Sequence, residues 1–270
     1  MGSVGCKPCS ASGKLIYNNA INSEIFRLDF AWQPAQAKMP FMTPKAGQFF
    51  MIKPQQSAVF LGRPISIAGW KSDTITFLIA RRGQGTLELA AMQSGDEAEL
   101  IGPLGNAWMD FLPAAQTNGK PVALVGGGIG LAPLNALLRE SPGISFDLYA
   151  GFRKGPNTEE KNALLGADYN KANKIIIAAE NGIDGHKGLI PDFLEPENYA
   201  AVCACGPEPM LKAVAAKCKA DEVPCFISME RRMACGVGAC LGCTVITVSG
   251  NRRCCADGPI FKAEEVVFDF

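Results

Sequence analysis

Four cysteines near the C-terminus, Cys235, Cys240, Cys243 and Cys255, have the types and the spacing to hold a metal centre. The first three stand as C-x4-C-x2-C among Gly236, Val237, Gly238, Ala239, Leu241 and Gly242, with the fourth downstream. That spacing suits a [2Fe–2S] cluster, which needs thiolates converging from a tight loop onto two irons. Small residues between the cysteines let the backbone curl and aim its N–H groups at the sulfurs, which helps set the potential. No carboxylate interrupts the loop to add charge to an anionic centre. Such a cluster carries electrons, so the chemistry implied is redox. A zinc site and scattered buried thiols are the competing readings. Zinc usually takes paired C-x2-C motifs or cysteine with histidine, and the single histidine, His186, is far away in a glycine-rich stretch that reads as a solvated loop. Cys254 and Cys255 are adjacent; in an extended segment neighbours point to opposite sides, so one of them faces the metal and the other is a free thiol.

A second chemical signal is Gly126-Gly127-Gly128-Ile129-Gly130, between the apolar run 122–125 and a helical pattern over 131–138. Strand, glycine loop and helix together suit a dinucleotide: glycines admit its backbone and the helix start favours its phosphates. The match to G-x-G-x-x-G is imperfect, because the third position falls on Leu131, and no acid ends the next strand, where Tyr149-Ala150-Gly151-Phe152-Arg153 stands. Taken alone, the loop reads equally as a structural turn. Arg63-Pro64-Ile65-Ser66 offers a cation, a rigid proline and a hydroxyl, a set able to clamp a pyrophosphate. Gly83-Gln84-Gly85-Thr86 opens a short helical pattern, another start suited to phosphate. Taken singly, each of these two reads as a surface turn. Cys6 and Cys9 form a lone C-x2-C in a Gly/Ser-rich start, read here as a mobile tail.

These residues need elements to position them. From about residue 13 to 113 short strands follow one another, as over 24–30 and 74–79, separated by turn signals such as Gly102-Pro103-Leu104-Gly105-Asn106. One short helix is expected over 85–92, and the remainder predicts an antiparallel Greek-key β-barrel. After residue 118 the pattern alternates: strands near 122–125, 145–150, 174–179 and 201–205, with helices between and a last helix through Cys218. That predicts a parallel α/β domain. The expected organisation is a barrel domain over 1–117, an α/β domain over 118–223 and a small C-terminal [2Fe–2S] module over 224–270, in fold class β + α/β.

The 270 residues balance 26 Lys+Arg against 26 Asp+Glu, so no basic field draws nucleic acid or an anionic membrane. No run of about 20 apolar residues predicts a membrane span, and the N-terminus lacks the apolar core of a signal peptide. Eleven cysteines, odd in number and clustered, fit a reducing cytoplasm with metal-bound thiolates better than a disulfide framework.

Together these segments resemble the ferredoxin reductase superfamily over nearly the whole chain. The resemblance implies FAD on Arg63, Pro64, Ile65 and Ser66, flavin contacts from Leu78, Ile79 and Ala80, and FAD phosphates or adenosine near Gly85 and Thr86. It implies a nicotinamide dinucleotide on Gly126, Gly127, Gly128 and Gly130 with Cys205, Gly206 and Pro207. Residues 102–106, 230–240 and the run Cys255-Ala256-Asp257-Gly258-Pro259-Ile260-Phe261 are similar to the electron-transfer subunits of NAD-dependent dihydroorotate dehydrogenases. Aligning Cys-x-Asp-Gly-Pro selects Cys255 as the fourth ligand, with Cys235, Cys240 and Cys243. The stretch between Cys243 and Cys255 is shorter than that resemblance expects, and the Cys6/Cys9 extension has no counterpart in it. The resemblance further implies electrons arriving from dihydroorotate through FMN in a separate catalytic subunit, then cluster, FAD and NAD+, in a heterotetramer of two copies of each subunit that serves pyrimidine biosynthesis. No catalytic acid or base is expected. Arg153 suits a phosphate of either dinucleotide, and the resemblance selects NAD. Two alternatives are a related subunit serving ferredoxin or a hydrogenase, and a redox-sensing metal-binding module without enzymatic activity.

Overall fold

The computed structural model describes residues 9–32, 43–112, 119–141, 143–166 and 169–268. Cys6, the side chain of Cys9 and the boundary expected at 117/118 lie outside them. The first half consists of strands β1 (Cys9–Ala20), β2 (Ile25–Trp32), β3 (Phe49–Pro54), β4 (Arg63–Lys71) and β5 (Thr74–Ala80), helix α1 (Gln84–Ala91) and strand β6 (Glu97–Leu104). The strands close into an antiparallel barrel in the order β1-β2-β5-β4-β3-β6. β6 shows why: along Glu97–Leu104 burial alternates, and a strand with one wet face alternates with period two. The barrel is filled by Phe26, Leu28, Phe30, Trp32, Phe50, Phe77 and Leu100. Their rings meet edge to face, Trp32 on Phe50 at 4.9 Å and Phe50 on Phe77 at 5.8 Å, the arrangement ring quadrupoles favour.

The second half adds β7 (Val122–Gly127), α2 (Leu131–Glu140), β8 (Phe146–Phe152), α3 (Thr158–Leu165), β9 (Lys174–Ala179), β10 (His186–Lys187), β11 (Ala201–Cys205), α4 (Glu208–Ala220) and β12 (Cys225–Ser228). β7 is buried almost throughout because both faces are covered, as parallel strands require. The sheet order is β10-β9-β8-β7-β11-β12-β15, where β15 (Ile260–Lys262) runs antiparallel to β12. The order reverses direction between β7 and β11, so the crevice at their carboxyl ends is the switch point where such sheets bind ligands. The segment from residue 224, grouped in sequence with the cysteine module, supplies two strands of this sheet, β12 and β15. The module proper is the loop between them, with the hairpin β13 (Thr244–Thr247) and β14 (Gly250–Arg253).

Barrel and sheet are joined along α2. Arg139 donates to the Trp70 carbonyl at 3.1 Å, and Glu140 accepts from the Ala46 N–H at 2.6 Å. Burial holds the Glu140 carboxyl above the usual range; the Ala46 N–H and Lys45 offset only part of that. Asn22 reaches across to Glu160 at 2.8 Å. No helix among the described residues is long and apolar enough to cross a membrane.

Candidate cluster and dinucleotide sites

The cysteine loop folds as two thiol pairs. Cys243 and Cys255 are buried with their sulfurs 3.2 Å apart. The Cys240 N–H donates to the Cys235 sulfur at 3.4 Å, and Cys240 itself is exposed. Further backbone donors point at sulfur: Gly238 N–H to Cys255 at 3.1 Å and Cys255 N–H to Cys243 at 3.4 Å. Burial pushes the Cys235 thiol up, but the N–H groups of Cys240, Val237 and Ala239 outweigh it and bring it down to about 6. Burial and the neighbouring Cys243 push Cys255 up to about 12. A buried thiol pair of that kind is costly to ionise alone and is relieved by a bound cation. Among the described residues no three Cys, His, Asp or Glu side chains converge as donors to one metal ion. A dinuclear cluster takes two thiolates on each iron, and the loop presents two thiol pairs, so the arrangement fits [2Fe–2S]. Cys254 turns the other way: it is 0% exposed and its thiol donates to the Met229 carbonyl at 3.1 Å.

Two contacts seat this loop on the barrel. At Gly236 (φ +70°) an added Cβ would stand 2.6 Å from Met51 Cγ, so only glycine lets the loop lie on β3. Asn106, at the end of β6, donates from Nδ2 to the Ile260 carbonyl at 2.8 Å and accepts the Ile260 N–H at 3.0 Å. The turn at 102–106 and the Cys-x-Asp-Gly-Pro run, separate signals in the sequence, thus meet through one amide. Arg253 and Asp257 close the far side with bonds of 2.9 and 3.0 Å.

The barrel opens where β4 and β5 part. β4 pairs with β3 over Arg63–Ser66, but with β5 only from Ile67↔Phe77 onward. β5 continues through Leu78, Ile79 and Ala80 against β2 alone. Each strand therefore leaves one backbone edge unpaired by its neighbour, facing a common opening. Leu78 and Ile79 are buried, so they offer that opening backbone rather than side chain. Arg63 lies against α1: an added Cβ at Gly85 would stand 2.8 Å from its Cδ and 2.9 Å from its Nε. Arg63 Nε is buried without a hydrogen-bond partner, a donor that an anionic group would satisfy. Thr86 Oγ1 accepts the Arg82 and Gly83 N–H groups at 2.9 and 3.2 Å, so its hydroxyl shapes the helix start.

Across the opening, Gly128–Gly130 forms a short 3-10 turn that touches β5. Gly130 has no room for a side chain, since a Cβ would stand 2.2 Å from the Cys205 carbonyl oxygen. Gly126, Gly127, Gly128 and Gly130 thus share one crevice with Cys205, Gly206 and Pro207. The expected residues gather into three adjoining groups, with Met51 as an unforeseen member: it pairs with Pro64 on one side and touches Gly236 on the other. An apolar strand residue gives no sequence signal for such a place. His186 stands exposed in β10, its ring 5.0 Å from Phe193 and outside all three groups.

Residues 230–267 match the iron-sulfur cluster binding domain of dihydroorotate dehydrogenase B. The dihydroorotate dehydrogenase B (NAD(+)) electron transfer subunit of Clostridium perfringens is 43% identical over 227 residues, covering 83% of this chain and 87% of that relative. Its counterpart from Caldanaerobacter subterraneus subsp. tengcongensis is 36% identical over 261 residues, covering 94% and 97%. Among solved structures, a chain of the NADH-dependent reduced ferredoxin-NADP oxidoreductase superposes with a TM-score of 0.77 at 24% identity, covering 99% of this chain and 91% of that one. A ferredoxin NADP+ reductase from Neisseria gonorrhoeae with bound FAD and NADP gives a TM-score of 0.62 at 20% identity, covering 83% and 95%. These two likenesses describe the fold.

Proposed function

Because the chain belongs to the family of dihydroorotate dehydrogenase B (NAD(+)) electron transfer subunits, we propose that it passes electrons from an FMN-containing dihydroorotate dehydrogenase catalytic subunit to NAD+. It is an oxidoreductase subunit that works with a partner. The complex holds two copies of each subunit and acts in the cytoplasm, in pyrimidine biosynthesis.

Cys235, Cys240, Cys243 and Cys255 hold the [2Fe–2S] cluster, the β4/β5 opening holds FAD, and the Gly126–Cys205 crevice admits NAD. Bound there, the flavin exchanges two electrons with a nicotinamide and single electrons with an iron–sulfur centre. The chain's own residues bind and orient. Arg63 supplies a fixed cation for the pyrophosphate, and the free backbone edges of β4 and β5, Leu78 and Ile79 included, would bind the flavin ring. No side chain need carry a proton for hydride transfer.

The observation that carries this reading is adjacency. The cluster loop touches Met51, Met51 pairs with Pro64 of the flavin strand, and the glycine turn touches β5. The test is anaerobic purification, a visible spectrum, and electron paramagnetic resonance after adding NADH. Flavin bands and a rhombic [2Fe–2S] signal that appears with NADH are expected. A folded protein without flavin would reject the reading.

A further inference from the structure

Phe60 is the most exposed large apolar side chain described, at 86%. It does not sit on a loose loop. Ser57 bonds the Val59 N–H at 3.1 Å and hydrogen-bonds the carboxylate of Glu88 on α1. The neighbouring carbonyl, Leu61, accepts from Arg63 Nη2 at 2.7 Å. The loop carrying Phe60 is therefore fixed both by the helix whose start adjoins the pyrophosphate site and by the arginine of that site. Lys53 Nζ stands over one face of the ring, 5.5 Å from its centroid, and leaves the other face open.

We propose that Phe60 is the platform for the adenine ring of FAD, stacking the base on the face opposite Lys53. Three observations converge. A phenyl ring held rigidly in water has a cost that burial under a flat partner removes. The ring lies one residue from the carbonyl that Arg63 grips, so a group anchored by its phosphates at Arg63 has its nucleoside end beside Phe60. The cation on the far face strengthens the ring as a stacking surface, since base, ring and ammonium then form one layered contact. The inference rests on the FAD reading above and adds to it the residue that distinguishes FAD from a flavin lacking adenine.

The test compares FAD with FMN, which carries the same ring and a phosphate but no adenine. Full-length protein with its cluster is stripped of flavin and titrated with each, following flavin fluorescence. In Phe60→Ala the FAD dissociation constant should rise roughly 5- to 100-fold, the range of one base–aromatic stack. The FMN constant should stay within about twofold, because FMN lacks the stacking base. Phe60→Trp should restore FAD binding. Equal weakening of both flavins, or no change in either, overturns the proposal. Loss of the partner subunit with an unchanged FAD-to-FMN ratio overturns it too, and makes Phe60 a protein contact. Wild-type protein that binds neither flavin would remove the FAD reading itself; wild type that binds FAD, with Phe60→Ala binding it equally, would remove only this inference.

Discussion

At Gly85 the missing side chain makes room for Arg63, the cation proposed for the pyrophosphate, which fills the space a Cβ would need. The obstructing atoms belong to a flexible side chain, so Gly85→Ala should fold and displace the arginine. Loss of one charge-assisted contact to pyrophosphate predicts about 10- to 100-fold weaker FAD binding. The melting temperature should move by only about 2 °C. A variant with wild-type flavin affinity would take Arg63 out of the site. Asn106 is the opposite case, a residue whose loss is structural. Its amide serves the Ile260 N–H and the carbonyls of Asp257 and Ile260. Asn106→Ala strands these groups in a partly buried joint, at a cost of about 2–3 kcal/mol and a fall on the order of 5–10 °C in thermal unfolding.

Among elements, the packing of the glycine turn against the end of β11 shapes the crevice proposed for the dinucleotide. At Gly130 the obstacle is backbone, 2.2 Å from where a Cβ would stand, and neither strand end can retreat. Gly130→Ala should lower NADH-dependent flavin reduction more than 10-fold, at a structural cost of about 2 kcal/mol or more, while FAD remains bound. The α2 joint makes a pH prediction. Burial raises the Glu140 carboxyl, against the Ala46 N–H. A group raised on folding contributes stability that is fully present below its unfolded value, about 4.3, and lost as pH rises through the raised folded value. Glu140→Gln should flatten the stability curve across that window, as measured by denaturant unfolding at several pH values. A curve that keeps its slope would show that other groups govern it.

On the scale of the whole molecule the three groups lie in series: cluster loop, barrel opening, glycine turn. The exposed position of Cys240, with Leu241 beside it at 63% exposure, puts the cluster loop where a partner can reach it. The opposite end of the series is the glycine turn, which we propose for the nicotinamide. Cys240→Ser should therefore split the activities, leaving flavin reduction by NADH largely intact and stopping turnover with the catalytic subunit. Full turnover by that variant would remove the cluster from the route.

The parts whose physics is local were legible in the sequence. Alternating apolar residues in β2, alternating burial along β6, the glycine turn after β7, the helix that starts at Gln84 and the spacing of the cysteines all express constraints acting within a few residues. Resemblance could then attach cofactors to those motifs. Tertiary structure decided how they meet. Only the closed barrel brings Arg63 onto Gly85, and only the splaying of β4 from β5 frees the two edges between them. The burial of Cys254 against the Met229 carbonyl joins residues 25 apart in sequence, and the return of Ile260–Lys262 into the parallel sheet depends on pairing with β12. Such contacts join residues far apart in the chain, and a residue like Met51 acquires its place from what packs on both sides of it rather than from its own chemistry.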